Sequence, residues 1–124
     1  MKLRLVHGLP FVSAKLIYRG RSTMLEHVLL DTGSARTLFA IDHVQSIGLH
    51  LEPNDAVHRI RGVGGTEFVF SKQVDQLIIA NLEVSEFVVE VGAMDYGLLL
   101  EGIFGMDFLL QTRAKINFNQ LTIR

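Results

Sequence analysis

The sequence predicts an all-β domain. Apolar residues come in bursts of strand length, eleven glycines against two prolines supply turns between the bursts, and helical spacing is confined to short stretches. One domain over residues 1–124 is expected, with a core of its own. A fold of this length buries about two-thirds of the surface its unfolded chain exposes, and 48% of the residues are hydrophobic.

Taken in order, Met1–Pro10 carries two early cations, Lys2 and Arg4, but His7, Gly8 and Pro10 interrupt its apolar run and no small-residue cleavage site follows. It therefore reads as part of the fold and not as a leader. Phe11–Tyr18 and Thr23–Leu30 read as strands, with Gly20 where their turn is needed. Ile41, Val44 and Ile47 sit at three-residue spacing ahead of Gly48, which predicts a short helix closed by a left-handed glycine. Val57–Arg61, Thr66–Phe70, Val74–Ile79, Val84–Val91 and Ala114–Phe118 read as further strands, with Asn81 and Asn119 at turn positions. In Val84–Val91 the residues Phe87, Val89 and Val91 alternate with Glu86, Val88 and Glu90, the pattern of a sheet with one buried face. A second helical stretch is expected over Met106–Gln111. No Pro/Ser-rich linker or low-complexity segment divides the chain.

Composition removes several function classes. Twelve Lys+Arg against thirteen Asp+Glu leave a net charge of −1 with no basic stripe, which argues against a nucleic-acid partner bound by phosphate neutralisation. The absence of cysteine excludes a disulfide scaffold. The uncharged stretches fall short of the ~20 residues a membrane helix needs, so a cytoplasmic protein without a membrane partner is expected. His7, His27, His43, His50 and His58 include no pair at the i, i+4 spacing of a zinc site, and neither a metal nor another cofactor is expected. There is also no Gly-x-Ser-x-Gly elbow and no cysteine nucleophile.

Asp31-Thr32-Gly33-Ser34, entered from Val28-Leu29-Leu30, is the most informative segment. It is either an ordinary polar turn, since all four residues form turns, or a site. An acid at the end of a buried strand must be desolvated, and that cost is tolerable where the surroundings hydrogen-bond the carboxyl or use its chemistry. Gly102-Ile103-Phe104-Gly105-Met106-Asp107-Phe108-Leu109-Leu110 repeats the layout of apolar residues, glycine and short helix, as two half-units about a pseudo-dyad would. Alone, Ile103 and Phe104 read as core strand residues and Asp107 as a helix cap or local partner. Gly62-Val63-Gly64-Gly65 is followed by a strand pattern and not by the helix a phosphate loop requires. It is a plain hairpin turn or a mobile one.

Leu29-Leu30-Asp31-Thr32-Gly33-Ser34, Arg61-Gly62-Val63-Gly64-Gly65-Thr66, and Ile103-Phe104-Gly105 with the helix after it, in this order and spacing, resemble the retropepsin-type (retroviral-like) aspartic proteases over most of the chain. The resemblance implies a retropepsin-like acid-protease fold, a closed β-barrel-like domain with one or two short helices, acting as a homodimer on a peptide or protein substrate. It implies an aspartic endopeptidase in which an Asp-activated water hydrolyses the peptide bond. That chemistry needs two carboxylates about 3 Å apart that share one proton. Of the six aspartates, Asp31 alone has the Thr-Gly context, so the second carboxylate is expected from another copy at a two-fold axis.

By the same resemblance, Thr32 hydrogen-bonds across that axis and Gly33 lets the two backbones approach. Ser34, where viral members have alanine, supports the loop and is expected to donate to Asp31, favouring its carboxylate and an acidic optimum. Gly62, Val63, Gly64 and Gly65 form the flap. Leu29 and Ile103 line a substrate pocket, while Phe104 and Gly105 thread beneath the catalytic loop. Ala35 and Arg36 stand where viral members carry acids, so Arg36 is either a peptide ligand or a solvated charge. The terminal segments Leu3–Val6 and Leu121–Arg124 suit either interleaving between copies or an edge within one chain. The alternative function is a catalytically weak or inactive dimerisation or peptide-binding module of the same fold.

Overall fold

The computed structural model describes residues 1–62, 65–94 and 99–124, with the backbone alone for residues 61, 62 and 65. The fold is mostly β with two short helices. The strands are β1 (Arg4–Val6), β2 (Leu9–Tyr18), β3 (Arg21–Leu30), β4 (Leu38–Ala40), β5 (Val57–Gly62), β6 (Gly65–Ile79), β7 (Leu82–Gly92), β8 (Gly102–Phe104), β9 (Ile116–Asn117) and β10 (Thr122–Ile123). Helix α1 (Ile41–Val44) continues into a 3-10 turn at Gln45–Ile47, and α2 covers Met106–Thr112.

Among the described residues, eight strands form one sheet in the order β1-β2-β3-β8-β4-β7-β6-β5, and β2 pairs in addition with β6. The β3–β8 and β4–β7 pairs are parallel, and the others in this sheet are antiparallel. The hairpin between β2 and β3 turns on Arg19 (φ 48°) and Gly20 (φ 80°). Two successive positive φ values match the right-handed twist of the flanking strands. Gly48 takes the expected left-handed cap (φ 87°), and its N–H bonds the Gln45 carbonyl.

Alternation along the strands divides the apolar residues between two clusters. The larger includes Leu16, Leu25, Phe39, Leu77, Phe104 and Phe108. Phe104 meets Phe108 at 4.5 Å between ring centroids and Phe39 edge-on at 6.2 Å. On the other face, Phe11, Leu38, Ala40, Val69, Met94 and Leu100 form a smaller cluster, against which Leu29, Ile60 and Ile103 pack while partly exposed.

Three expectations are corrected, and of the two arrangements open to the chain ends the structure shows the one within a single chain. Thr66–Phe70 and Val74–Ile79 belong to one strand, because the polar residues between them are absorbed. Lys72 is buried, Ser71 bonds Glu90, and the ladder runs from Val69↔Gly92 to Ile79↔Leu82. Glu90, which alternation places on a solvent face, is buried, because that face of β7 packs here against other elements. Ala114–Phe118 contributes the two residues of β9, and Phe118 stays exposed. The chain ends pair with each other within one chain: the Leu3 N–H donates to the Leu121 carbonyl at 2.8 Å and the Ile123 N–H to the Met1 carbonyl at 3.0 Å.

Candidate active site

The two similar segments of the sequence lie side by side. Val28↔Gly102, Leu29↔Ile103 and Leu30↔Phe104 are parallel partners, and the Asp31 N–H donates to the Phe104 carbonyl at 3.0 Å. Asp31 therefore leaves its strand where the neighbouring one reaches Gly105. This closeness explains the glycines. A Cβ on Gly102 would sit 2.5 Å from the Phe39 ring, and one on Gly105 would sit 2.4 Å from the Arg36 carbonyl oxygen. At Gly105 the obstruction is backbone, which cannot yield as a side-chain tip would, and at Gly102 it is the fully buried Phe39 ring.

Asp31 is half-buried, with Thr32 and Gly33 exposed beside it. The turn closes on the acid itself: Gly33 N–H donates to Asp31 Oδ1 at 2.9 Å, and Ser34 N–H donates to the Asp31 carbonyl at 3.1 Å. A carboxylate fixed by a backbone donor keeps one oxygen oriented at little entropic cost. Ser34 differs from expectation. Its hydroxyl donates to the Arg36 carbonyl at 2.8 Å and not to Asp31, so it braces the loop and supplies no ground for an acidic optimum.

The segment after Asp31 is bolted to α2. Met106 N–H donates to the Ser34 carbonyl at 2.8 Å and Asp107 N–H to the Ala35 carbonyl at 3.2 Å. Asp107 is no helix cap. Its carboxylate accepts from the Thr37 N–H and hydroxyl at 3.1 and 2.8 Å and from the Phe108 N–H at 2.7 Å. Buried Thr37 in turn accepts from the Gly105 N–H at 3.2 Å. Phe104 and Gly105 thus lie against the Asp31 loop. Thr37 escaped the sequence reading; its one signal was a lone hydroxyl ahead of the apolar run Leu38-Phe39-Ala40.

Leu29 and Ile103 are brought together as cross-strand partners beside Asp31, and Ile60 of β5 joins their cluster. Of the glycine-rich segment, Gly62 and Gly65 pair through their backbones at the ends of β5 and β6. Val63 and Gly64 lie outside the described residues.

Two charged clusters flank β6. On the Leu29 face, the Glu90 carboxylate accepts from Ser71 Oγ at 2.9 Å and pairs with Arg36 at 3.2 Å and His58 at 3.1 Å. On the opposite face, Lys72 bonds Glu52 and Asp55, and Arg19 forks onto Glu52 at 2.8 and 3.1 Å. The hydrogen bond from Arg19, then that from Lys72, holds the Glu52 carboxyl down at about 2. Lys72 pulls Asp55 below its ordinary value. Burial pushes Lys72 down, but its bonds to Asp55 and Glu52 outweigh that and raise it.

A groove of about 590 Å³ between the chain ends, lined by Met1, Ile116, Phe118 and Thr122 among others, contains none of the Asp31 loop. Among the described residues, no group of three or more His, Cys, Asp or Glu is arranged to hold a metal ion, and no helix is long and apolar enough to cross a membrane.

A family model described as aspartyl protease matches residues 15–108, from the middle of β2 into α2. The chain belongs to this aspartyl protease family of the retropepsin-like clan. No curated protein matches it.

Proposed function

We propose that this member of the aspartyl protease family is an aspartic endopeptidase whose catalytic pair is formed by Asp31 from each of two copies of the chain. The observation that carries the reading is the Asp31 loop: an acid at the end of a buried strand, one oxygen held by the Gly33 N–H, with Thr32 and Gly33 exposed beside it. The loop is braced from below by Ser34, Thr37 and Gly105. The attack step needs a proton taken from water and another given to the carbonyl oxygen at once, which one carboxyl group cannot do in the same step, and a second copy provides the partner. The chain ends pair internally, and exposed Thr32 and Gly33 leave the tip of the Asp31 loop open to a second copy. The β2–β6 pairing supports a barrel-like closure of each domain.

At such a pair the two carboxylates share one proton, because like charges so close cannot both ionise. The ionised one takes a proton from water as the water oxygen attacks the scissile carbonyl carbon. The other gives its proton to the carbonyl oxygen. Collapse of the tetrahedral intermediate breaks the C–N bond, with a proton passed to the departing amine, and no covalent enzyme intermediate forms. Leu29, Ile103 and Ile60 provide apolar wall for an extended peptide, and the hairpin of β5 and β6 carries the glycine segment as the flap.

Asp31→Asn is expected to lower cleavage of a peptide library by a factor of about 10²–10⁴ or more. Specific activity of the wild type should rise with protein concentration around the dimer dissociation constant. Undiminished cleavage by Asp31→Asn, or concentration-independent activity from a monomer in sedimentation, overturns the proposal.

A further inference from the structure

One face of the sheet is apolar along most of its width and ends in charge. Leu29, Ile103, Leu38, Glu90 and Ser71 are successive cross-strand partners over β3, β8, β4, β7 and β6, and residues paired in this way share a face. The Leu29–Ile103 wall beside Asp31 therefore runs directly into Glu90. Its carboxylate, 6% exposed, is saturated by Ser71 Oγ, Arg36 and His58. A buried carboxylate is tolerated when it is paired and hydrogen-bonded in this way.

The partners of Glu90 are not buried. The Arg36 side chain is 58% exposed and that of His58 45%. Arg36 engages Glu90 through Nη2, and a guanidinium carries five N–H donors in a planar fork. It also lies five residues past Asp31 in the same braced loop. What the end of the cleft offers a peptide is thus an anchored cation with donors to spare, while the neutralising carboxylate is shielded behind it.

We infer that Arg36, seated on Glu90 and flanked by His58, is a specificity-determining residue that binds an acidic side chain of the substrate peptide. The inference rests on the endopeptidase reading. An Asp or Glu side chain presents two acceptor oxygens that fit the guanidinium fork. A Lys or Arg side chain meets like charge and cannot reach Glu90. With one such site per copy, the preference falls on both sides of the scissile bond.

The test maps cleavage sites of the wild type in a peptide library by mass spectrometry, then compares peptides that differ by Glu, Gln or Lys at the enriched position. The Glu peptide is expected to be cleaved with about tenfold higher kcat/KM than the Lys peptide, mainly through KM. The ratio should fall within twofold in Arg36→Gln, keep its sign in Arg36→Lys, and shrink as ionic strength rises, the last a readout that needs no variant. Cleavage without an acidic preference, a preference that survives Arg36→Gln, or a salt-independent ratio overturns the inference and leaves the endopeptidase reading standing. Fluorescent Glu and Lys peptides bound to Asp31→Asn separate the two readings. If the wild type cleaves nothing, the endopeptidase reading fails, and equal binding of the two peptides then overturns the role of Arg36 as well.

Discussion

Ser71 and Lys72 are adjacent in β6 and leave the sheet on opposite faces, and each ends in a cluster of charge. The clusters are inversions of one another. On the Lys72 side the cation is buried, 4% exposed, and its carboxylates reach water, Glu52 at 32% and Asp55 at 16%. On the Ser71 side the carboxylate is buried, and its partners, the Arg36 cation and the His58 ring, reach water. Which partner faces solvent decides what a cluster can do. The exposed acids of the first are already engaged by Lys72 and Arg19, so that cluster fastens the segment 49–56 to the sheet. The exposed cation of the second has donors left over, so that cluster can choose a ligand.

The contrast is broken most forcefully at Lys72. Lys72→Met keeps an unbranched chain of similar length but removes the charge two carboxylates share, together with the ammonium's contact with the Tyr18 ring, and a loss of ~2–3 kcal/mol is expected, or roughly 8–12 °C in Tm. Calorimetry would show it, and the Glu/Lys cleavage ratio should not move. A loss of Tm below ~2 °C would mean that the cluster is no fastener.

Glu52→Gln sharpens the same side through pH. Because folding lowers the Glu52 carboxyl from 4.5 to about 2, the unfolded chain takes up the proton first on acidification. The stability this group supplies is complete above about pH 4.5 and is lost as pH falls toward 2. Urea midpoints measured between pH 7 and 3 should therefore fall less steeply in Glu52→Gln than in the wild type. The effect is smaller than that of Lys72→Met, since both Glu52 and Arg19 are solvent-screened.

Ser71→Ala is the gentlest change. It takes one hydroxyl from Glu90 while Arg36 and His58 remain, for about 1 kcal/mol in chemical denaturation and less than a twofold shift in the cleavage ratio. A larger shift would place the selectivity in the whole cluster and not in Arg36.

What could be read in the sequence followed the range of the interactions. β2, β3 and β7 were legible because apolar bursts of strand length bounded by turn residues are local signals, and Gly48 because a left-handed cap needs glycine at that place. Asp31-Thr32-Gly33 was legible for the same reason, since its turn closes within itself. β6 looked like two strands because Ser71 and Lys72 find their partners in remote segments. Thr37 and Asp107 meet across seventy residues, and Glu90 meets Arg36 across fifty-four. No periodicity reports such pairs. The three-residue strands β4 and β8 are too short to alternate and exist because neighbours pair with them on both sides.

Gly105 has a further consequence. Its α-carbon abuts the backbone of Arg36, and the residue before it takes the Asp31 N–H, so one bare position serves as fulcrum for both the acid and the cation that stands off from it. That contact fixes the spacing of the two groups along the chain. On the proposed reading, a change of preference is therefore open to the side chains of Arg36 and His58 and not to the distance between Asp31 and Arg36.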